Sequence, residues 1–167
     1  MPLPLSPPIR ITKDDLGLFS DFKCGQENYQ HALAVWITGE EAIKALKGKT
    51  RIFAYATARV PEQVVGYGSL GTSNWKLADD ESDKVKVQII PALAVHEKYW
   101  GQGVCKQIVD HLVNEAQQNV NASLLLGLFV HEKNDAAIHV YQAAGFKFLR
   151  KEVVDETGIN RAMIRSL

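Results

Sequence analysis

The sequence predicts a mixed α/β fold, with a mostly antiparallel central sheet and helices on both of its faces. Three observations lead there. Runs of β-formers lie at 51–57, 64–70 and 85–95. A helical periodicity over 102–119 separates the last of these from an almost wholly apolar run, Ser123 to Val130. Further helical periodicities precede the first run and follow the apolar one. Closely spaced β runs pair as antiparallel hairpins, whereas strand, helix and strand in succession build a right-handed crossover unit.

The 167 residues are 46% hydrophobic and 23% charged, with a formal net charge of zero, which suits one self-sufficient core. That balance, with a mean hydropathy of -0.12, argues against a disordered tail, a membrane protein or a broadly basic nucleic-acid binder. The Pro-rich start, Met1 to Arg10, has no apolar run behind it, so it reads as a flexible leader over 1–8 rather than a secretion signal. A single cytoplasmic domain over 9–167 is expected. Cys24 and Cys105 have no partner at metal or redox spacing and read as reduced thiols, so no metal is expected.

Element by element, Ile9-Arg10-Ile11 alternates like a short strand, and Thr12 followed by Asp15 reads as a capped helix start. From Glu27 to Lys47 the apolar residues recur at three and four, with Thr38-Gly39-Glu40-Glu41 ending one helix and starting the next. Val60-Pro61-Glu62-Gln63 is the turn of a hairpin joining Arg51–Thr57 to Val64–Leu70, and the polar stretch Thr72 to Asp83 is a loop. Pro91 interrupts the run from Val85 to Val95, because proline has no N–H to give a ladder. Val104, Cys105, Ile108, Val109, Leu112 and Ala116 share one helical face. Asn134 opens a last helix, with Ala137, Val140, Tyr141 and Ala144 on one face and Gly145 as its stop. Phe146–Arg150 and Arg161–Ser166 read as closing strands.

The carboxyl end of the Val85–Val95 run leads into Lys98-Tyr99-Trp100-Gly101-Gln102-Gly103-Val104-Cys105-Lys106 and then into a helix. Two glycines let a backbone approach a ligand, and the unpaired N–H groups of a first helical turn suit a pyrophosphate. By itself such a turn serves packing as often as binding. It lacks the Lys-Ser/Thr of a nucleotide P-loop and the third glycine of a dinucleotide fingerprint. Likewise Asn134 to Phe146 by itself is an amphipathic helix with a core tyrosine.

Taken together, Lys98-x-x-Gly101-x-Gly103 and Asn134-x-x-Ala137-x-x-x-Tyr141-x-x-x-Gly145-Phe146 resemble the GNAT superfamily of acyl-CoA-dependent N-acyltransferases, over most of the chain. Lys98 stands where that family usually has Gln or Arg, and Cys105 where many members have Gly. The resemblance implies an acetyl-CoA-dependent N-acetyltransferase acting on a primary amine. It implies that the pantetheine arm lies as an added strand along Leu93, Ala94 and Val95. The pyrophosphate would sit on the turn from Lys98 and Trp100 through Gly101, Gln102, Gly103, Val104, Cys105 and Lys106. Asn134 would reach the arm, with Ala137 on the same helix, and Tyr141 would be the general acid. Glu97, His96, His131 and a water relay all stay open as the amine-side base.

Phe22-Lys23-Cys24-Gly25, Val65 to Leu70 and Pro91 to Val95 carry a narrower likeness to acetyltransferase toxins of toxin–antitoxin pairs, which acetylate aminoacyl-tRNA. That implies tRNA and an antitoxin protein as partners. The basic clusters Lys44, Lys47, Lys49, Arg51 and Arg150, Lys151, Arg161, Arg165 would meet phosphate, unless they are simply solvated faces. The two closing strands leave a sheet edge through which a homodimer can form. A different class of protein, a non-catalytic coenzyme A-binding module, would keep the glycine turn without needing Tyr141.

Overall fold

The structure, a computed structural model, describes residues 1–60, 63–78 and 83–167. Its contacts divide the chain into two compact units, Met1–Ser69 with Ala92–Ile108, and Leu70–Pro91 with Val109–Leu167. Strands β1 (Ile9–Arg10), β2 (Arg51–Ala56), β3 (Val64–Trp75), β4 (Val85–Ile90), β5 (Leu93–Val95), β6 (Leu125–His131), β7 (Lys147–Asp155) and β8 (Gly158–Ser166) accompany helices α1 (Asn28–Thr38), α2 (Glu40–Lys47), α3 (Val104–Gln118) and α4 (Asp135–Ala143). Described strand pairings are antiparallel apart from the parallel pair β4 and β6, as a mixed, mostly antiparallel sheet requires. No helix among the described residues is long and apolar enough to cross a membrane.

In the first unit the strand order is β1-β2-β3-β5. Thr12 and Asp15 form the anticipated capping box, although the helix that they open is a 3-10 helix, Lys13–Phe19. The core gathers Phe19, Phe22, Ile37, Ile52 and Tyr67. Tyr67 has edge contacts from Phe19 and Phe22 and stacks on Trp36, while its hydroxyl donates to the Leu33 carbonyl at 2.7 Å. Such edge-on and offset ring packing adds specificity to burial.

The second unit runs β3-β4-β6-β8-β7. Here the loop expected over Thr72 to Asp83 is corrected, because β3 continues to Trp75 and pairs Gly71 to Trp75 with Ile89 to Val85. Gly-Thr-Ser-Asn is poor in β-formers, but a half-exposed hairpin arm needs only backbone partners and one buried anchor. Trp75 is that anchor, packed with Val87 and Ala162, and a side chain at Gly127 would run into its indole at 2.6 Å. Pro61 and Glu62 of the expected turn lie outside the described residues, as do 79–82. The closing strands are longer than expected, joined at Glu156-Thr157. There the Asp155 carboxylate accepts from the Thr157 N–H at 2.8 Å and hydroxyl at 2.6 Å.

Pro91 ends β4 as expected. β5 pairs with β3 in the register Gly66 with Val95 to Gly68 with Leu93, while β4 pairs with β3 in the register Gly71 with Ile89 to Trp75 with Val85. Ile90, Pro91 and Ala92 therefore lie between the two registers on one side, against Ser69 and Leu70 on the other, the extra residue of a β-bulge. The wholly buried Ser69 stitches this point: its Oγ donates to the Ala92 carbonyl at 2.8 Å and accepts from the Ala92 N–H at 2.9 Å. Ser69→Ala leaves that buried N–H unpaired, which costs about 1–3 kcal/mol. A Tm several degrees below that of the parent, read by calorimetry, is expected; an unchanged Tm would show the stitch to be dispensable.

Candidate functional site

β5 is the first component of the site. Ser69 and His96 donate their N–H groups to the carbonyls of Ala92 and Val65, at 3.0 and 2.8 Å. Hydrogen-bonded and non-bonded positions alternate along an antiparallel pair. Ala94, opposite Tyr67, therefore bonds to β3, while Leu93 and Val95 turn their N–H and C=O groups to the other edge. The Val95 carbonyl is taken there by the Trp100 indole N–H at 2.9 Å. The N–H groups of Leu93 and Val95 have no described partner, although both residues are buried. Buried backbone donors are nearly always paired, so an open edge of this kind suits an extended ligand carrying amides.

The chain leaves β5 through a 3-10 turn, Glu97–Tyr99, capped by His96, whose Nδ1 accepts from the Lys98 N–H at 3.2 Å. Gly101 and Gly103 follow at φ +71° and +73°, the left-handed region that favours glycine. α3 begins directly afterwards. The Gln107 N–H closes on the Gly103 carbonyl at 3.3 Å, and the first-turn amides of Val104 and Cys105 have no partner among the described residues. The exposed Lys98 ammonium lies 5.8 Å from the Tyr99 ring. Leu93, Ala94, Val95, Lys98, Trp100, Gly101, Gln102, Gly103, Val104, Cys105 and Lys106 are thus all carried by the first unit, on one continuous strand, turn and helix start.

Asn134, Ala137 and Tyr141 belong to the second unit. Asn134 caps α4, its Oδ1 accepting from the Ala137 N–H at 3.3 Å, so the capping role is realised. Tyr141 is buried with its ring edge-on to Phe146 at 5.9 Å. Gly145, at φ +87°, ends the helix, and the Phe146 N–H returns to the Tyr141 carbonyl at 3.0 Å. The Arg165 guanidinium donates to the Ala144 carbonyl, a cation placed on the negative end of the helix dipole.

The residues open as amine-side base now separate. His131 Nδ1 accepts from the Lys133 N–H at 3.2 Å, and its Nε2 lies 2.8 Å from the Thr157 carbonyl, so Nε2 carries the proton and the ring serves the β7–β8 turn. His96 spends Nδ1 on its cap. Glu97 is exposed, and its N–H, rather than its carboxylate, is used, donating to the Lys23 carbonyl at 2.7 Å. Single members of the two basic clusters have partners of their own. Lys44 pairs with Glu41 at 2.8 Å, while Arg161 stacks 4.0 Å over Phe148 and pairs in register with Glu152. Sequence reasoning overlooked Ser69 and the first six residues, which are tied to the Gly103 turn.

The acetyltransferase (GNAT) family profile matches residues 19–146, and the chain belongs to that family. It is a mixed α/β acetyltransferase. Among solved structures it is similar in fold to the protein AtaT complexed with acetyl-methionyl-tRNAfMet, at 20% identity over 97% of this chain and 94% of that one, with a TM-score of 0.69. AtaTR bound with AcCoA gives 0.70 at 20% identity, over 98% and 94%. A tyrosine-to-phenylalanine variant of KacT gives 0.73 at 17% identity, over 98% and 95%. No curated protein sequence matches the chain.

Cys105, half-buried at the start of α3, has its thiol pushed up from 9.0 to about 11 by burial. Cys24 is likewise pushed up to about 11 by burial, opposed by a backbone hydrogen bond from Ala34 and aided by Glu97. These are packing thiols, not activated ones. In the unfolded chain they ionise near 9.0 and in the folded one near 11, so stability is unaffected below pH 9 and falls as pH rises from about 9 to 11. A urea midpoint that holds from pH 7 to 8.5 and drops above pH 9.5 is expected. DTNB at pH 8 should react slowly with the native protein and rapidly once it is unfolded; prompt native reaction would contradict the assignment.

Proposed function

We propose that the protein transfers the acetyl group of acetyl-CoA directly to a primary amine. The observation that carries this reading is the buried, unpaired edge of β5 running without interruption into two left-handed glycines and the open amides of α3. The pantetheine amides add to the edge at Leu93 and Val95 as an extra strand, and the pyrophosphate rests on the N–H groups from Gly101 to Lys106. Asn134 Nδ2 is the donor that α4 offers to the arm, beside the small Ala137.

In the reaction the neutral amine attacks the thioester carbonyl, the C–N bond forms, and the C–S bond breaks. Tyr141 donates its phenolic proton to the departing sulfur and recovers one from solvent. A phenol of pKa about 10 and a thiol of about 8.5 are close enough for that transfer to carry little penalty. The proton lost by the amine passes to water, with Glu97 as the nearby carboxylate not committed elsewhere. The cytoplasmic location expected from the sequence is compatible with this reading, since acetyl-CoA is available there.

Tyr141→Phe keeps the ring against Phe146 and removes only the proton donor. A loss of about a hundredfold to ten-thousandfold in kcat, with acetyl-CoA affinity nearly unchanged, is expected in a thiol-release assay across a panel of amines. An unaltered kcat in a folded variant would reduce Tyr141 to a packing residue.

A second reading, that the amine is the amino group of aminoacyl-tRNA and that an antitoxin protein partners the enzyme, is favoured by the fold likeness to AtaT, solved in complex with acetyl-methionyl-tRNAfMet and with the C-terminus of the antitoxin AtaR, and by the Phe22-x-Cys24-Gly25 loop. Glycine is required in that loop, because Gly25 sits at φ +110° and a Cβ there would lie 2.7 Å from the Trp100 ring. Transfer to charged tRNA that falls steeply with salt, while transfer to small amines does not, is the result this reading expects. Turnover of small amines with no charged tRNA accepted would remove it.

A further inference from the structure

Residues 1–8 read from the sequence as a flexible leader, yet the first six are tied down at both ends within the first unit. Ser6 donates its N–H to the Ala56 carbonyl at 2.9 Å and its hydroxyl to the Thr57 carbonyl at 3.1 Å, and the Ala58 N–H donates to the Pro4 carbonyl at 3.0 Å. Leu5 bridges Thr57 antiparallel. At the other end the Leu3 N–H donates to the Gln102 carbonyl at 2.9 Å, and Gln107 Nε2 donates to the Leu3 carbonyl at 2.8 Å. Pro2 lies against Gly103, where a Cβ would come within 3.2 Å of it. Pro2, Pro4, Pro7 and Pro8 restrict φ, so holding this segment extended costs less entropy than for an ordinary chain.

The polarity of these contacts decides what the strap does. Its described bonds to the turn are all on carbonyl groups, and none uses an amide from Gly101 to Cys105. A trans peptide is planar, with C=O and N–H on opposite sides. Fixing the Gln102 carbonyl toward Leu3 therefore turns the Gly103 N–H away from the strap. Gln107 Nε2 also lies 3.4 Å from the Gly103 carbonyl, which turns the Val104 N–H away in the same manner. A segment that blocked the turn would have to take up the amides instead.

We infer that Pro2 to Ser6, through Leu3 and Gln107, is a brace that aims the N–H groups of Gly103 and Val104 at the coenzyme's pyrophosphate. This rests on the acetyl-CoA reading above. Leu3 and Gln107 are positioning residues and touch no substrate themselves.

The test measures coenzyme A binding by calorimetry on the full chain and two variants, so that no acceptor need be known. Gln107→Met keeps the helix and the length of the side chain but loses the donor, and Leu3→Pro removes the strap's N–H to Gln102. Each should raise the Kd for coenzyme A about threefold to tenfold, from the loss of one hydrogen bond's worth of ordering. With coenzyme A bound, amide exchange at Gly103 and Val104 should be faster in both variants than in the parent. Equal affinity in two folded variants overturns the brace alone, and tighter binding overturns it by showing the segment to be a plug. A parent protein that binds no coenzyme A overturns the acetyl-CoA reading and the brace with it.

Discussion

The arrangement depends on one missing hydrogen-bond donor. Pro91 has no N–H, and the extra residue between the two registers on β3 sits at that point. A strand that ran unbroken from Val85 to Val95 would keep its neighbours throughout and offer no free edge. Because the ladder is interrupted, β5 is short and pairs with β3, and among the described residues the buried N–H groups of Leu93 and Val95 have no partner. Ser69 makes this tolerable by acting as both donor and acceptor to Ala92, so the interruption is contained rather than spread along the sheet.

The turn that follows shows a division of labour between the two halves of each peptide group. Carbonyls are consumed by the protein: Val95 by Trp100, Lys98 by Gln102 at 3.2 Å, Gln102 by Leu3, and Gly103 by Gln107. The amides from Gly101 to Cys105 have no partner among the described residues. Left-handed glycines at 101 and 103 allow successive N–H groups to converge, and the helix dipole of α3 adds partial positive charge at the same place. Anion binding of this kind requires neither a basic side chain nor a metal, which agrees with a chain of zero net charge.

α4 is built for rigidity at both ends, with Asn134 at its start and Gly145 and Arg165 at its finish. Tyr141, the proton donor of the proposed reaction, is held on this helix by its edge contact with Phe146. Gln88 serves a similar end near α3: the Nε2 of this buried side chain lies at 3.0, 3.2 and 2.9 Å from the carbonyls of Ala116, Asn119 and Ser123, its two N–H groups shared among the three, which fixes the path from the helix into β6. Buried amides of that sort stabilise only when fully satisfied, and here the bonds are made.

Much of the fold was legible because burial imposes period and composition. The β-forming runs, the capping box at Thr12 and Asp15, the helix break at Gly39, the interruption at Pro91 and the stop at Gly145 each follow from a local rule acting on a few adjacent residues. So does the glycine turn, together with the motif resemblance to the family. The polar arm of β3 over Gly71 to Trp75 was not legible, since its half-exposed residues carry no hydrophobic alternation and are held by β4. The strap was hidden for a related reason, its Pro-rich composition being the same for a free leader and for a bound one. Only the tertiary structure decided which edge of β5 is open, which nitrogen of His131 holds its proton, and that Leu3 meets Gln102. Those outcomes turn on hydrogen bonds between segments far apart in the chain, and no local propensity determines which distant carbonyl an N–H will find.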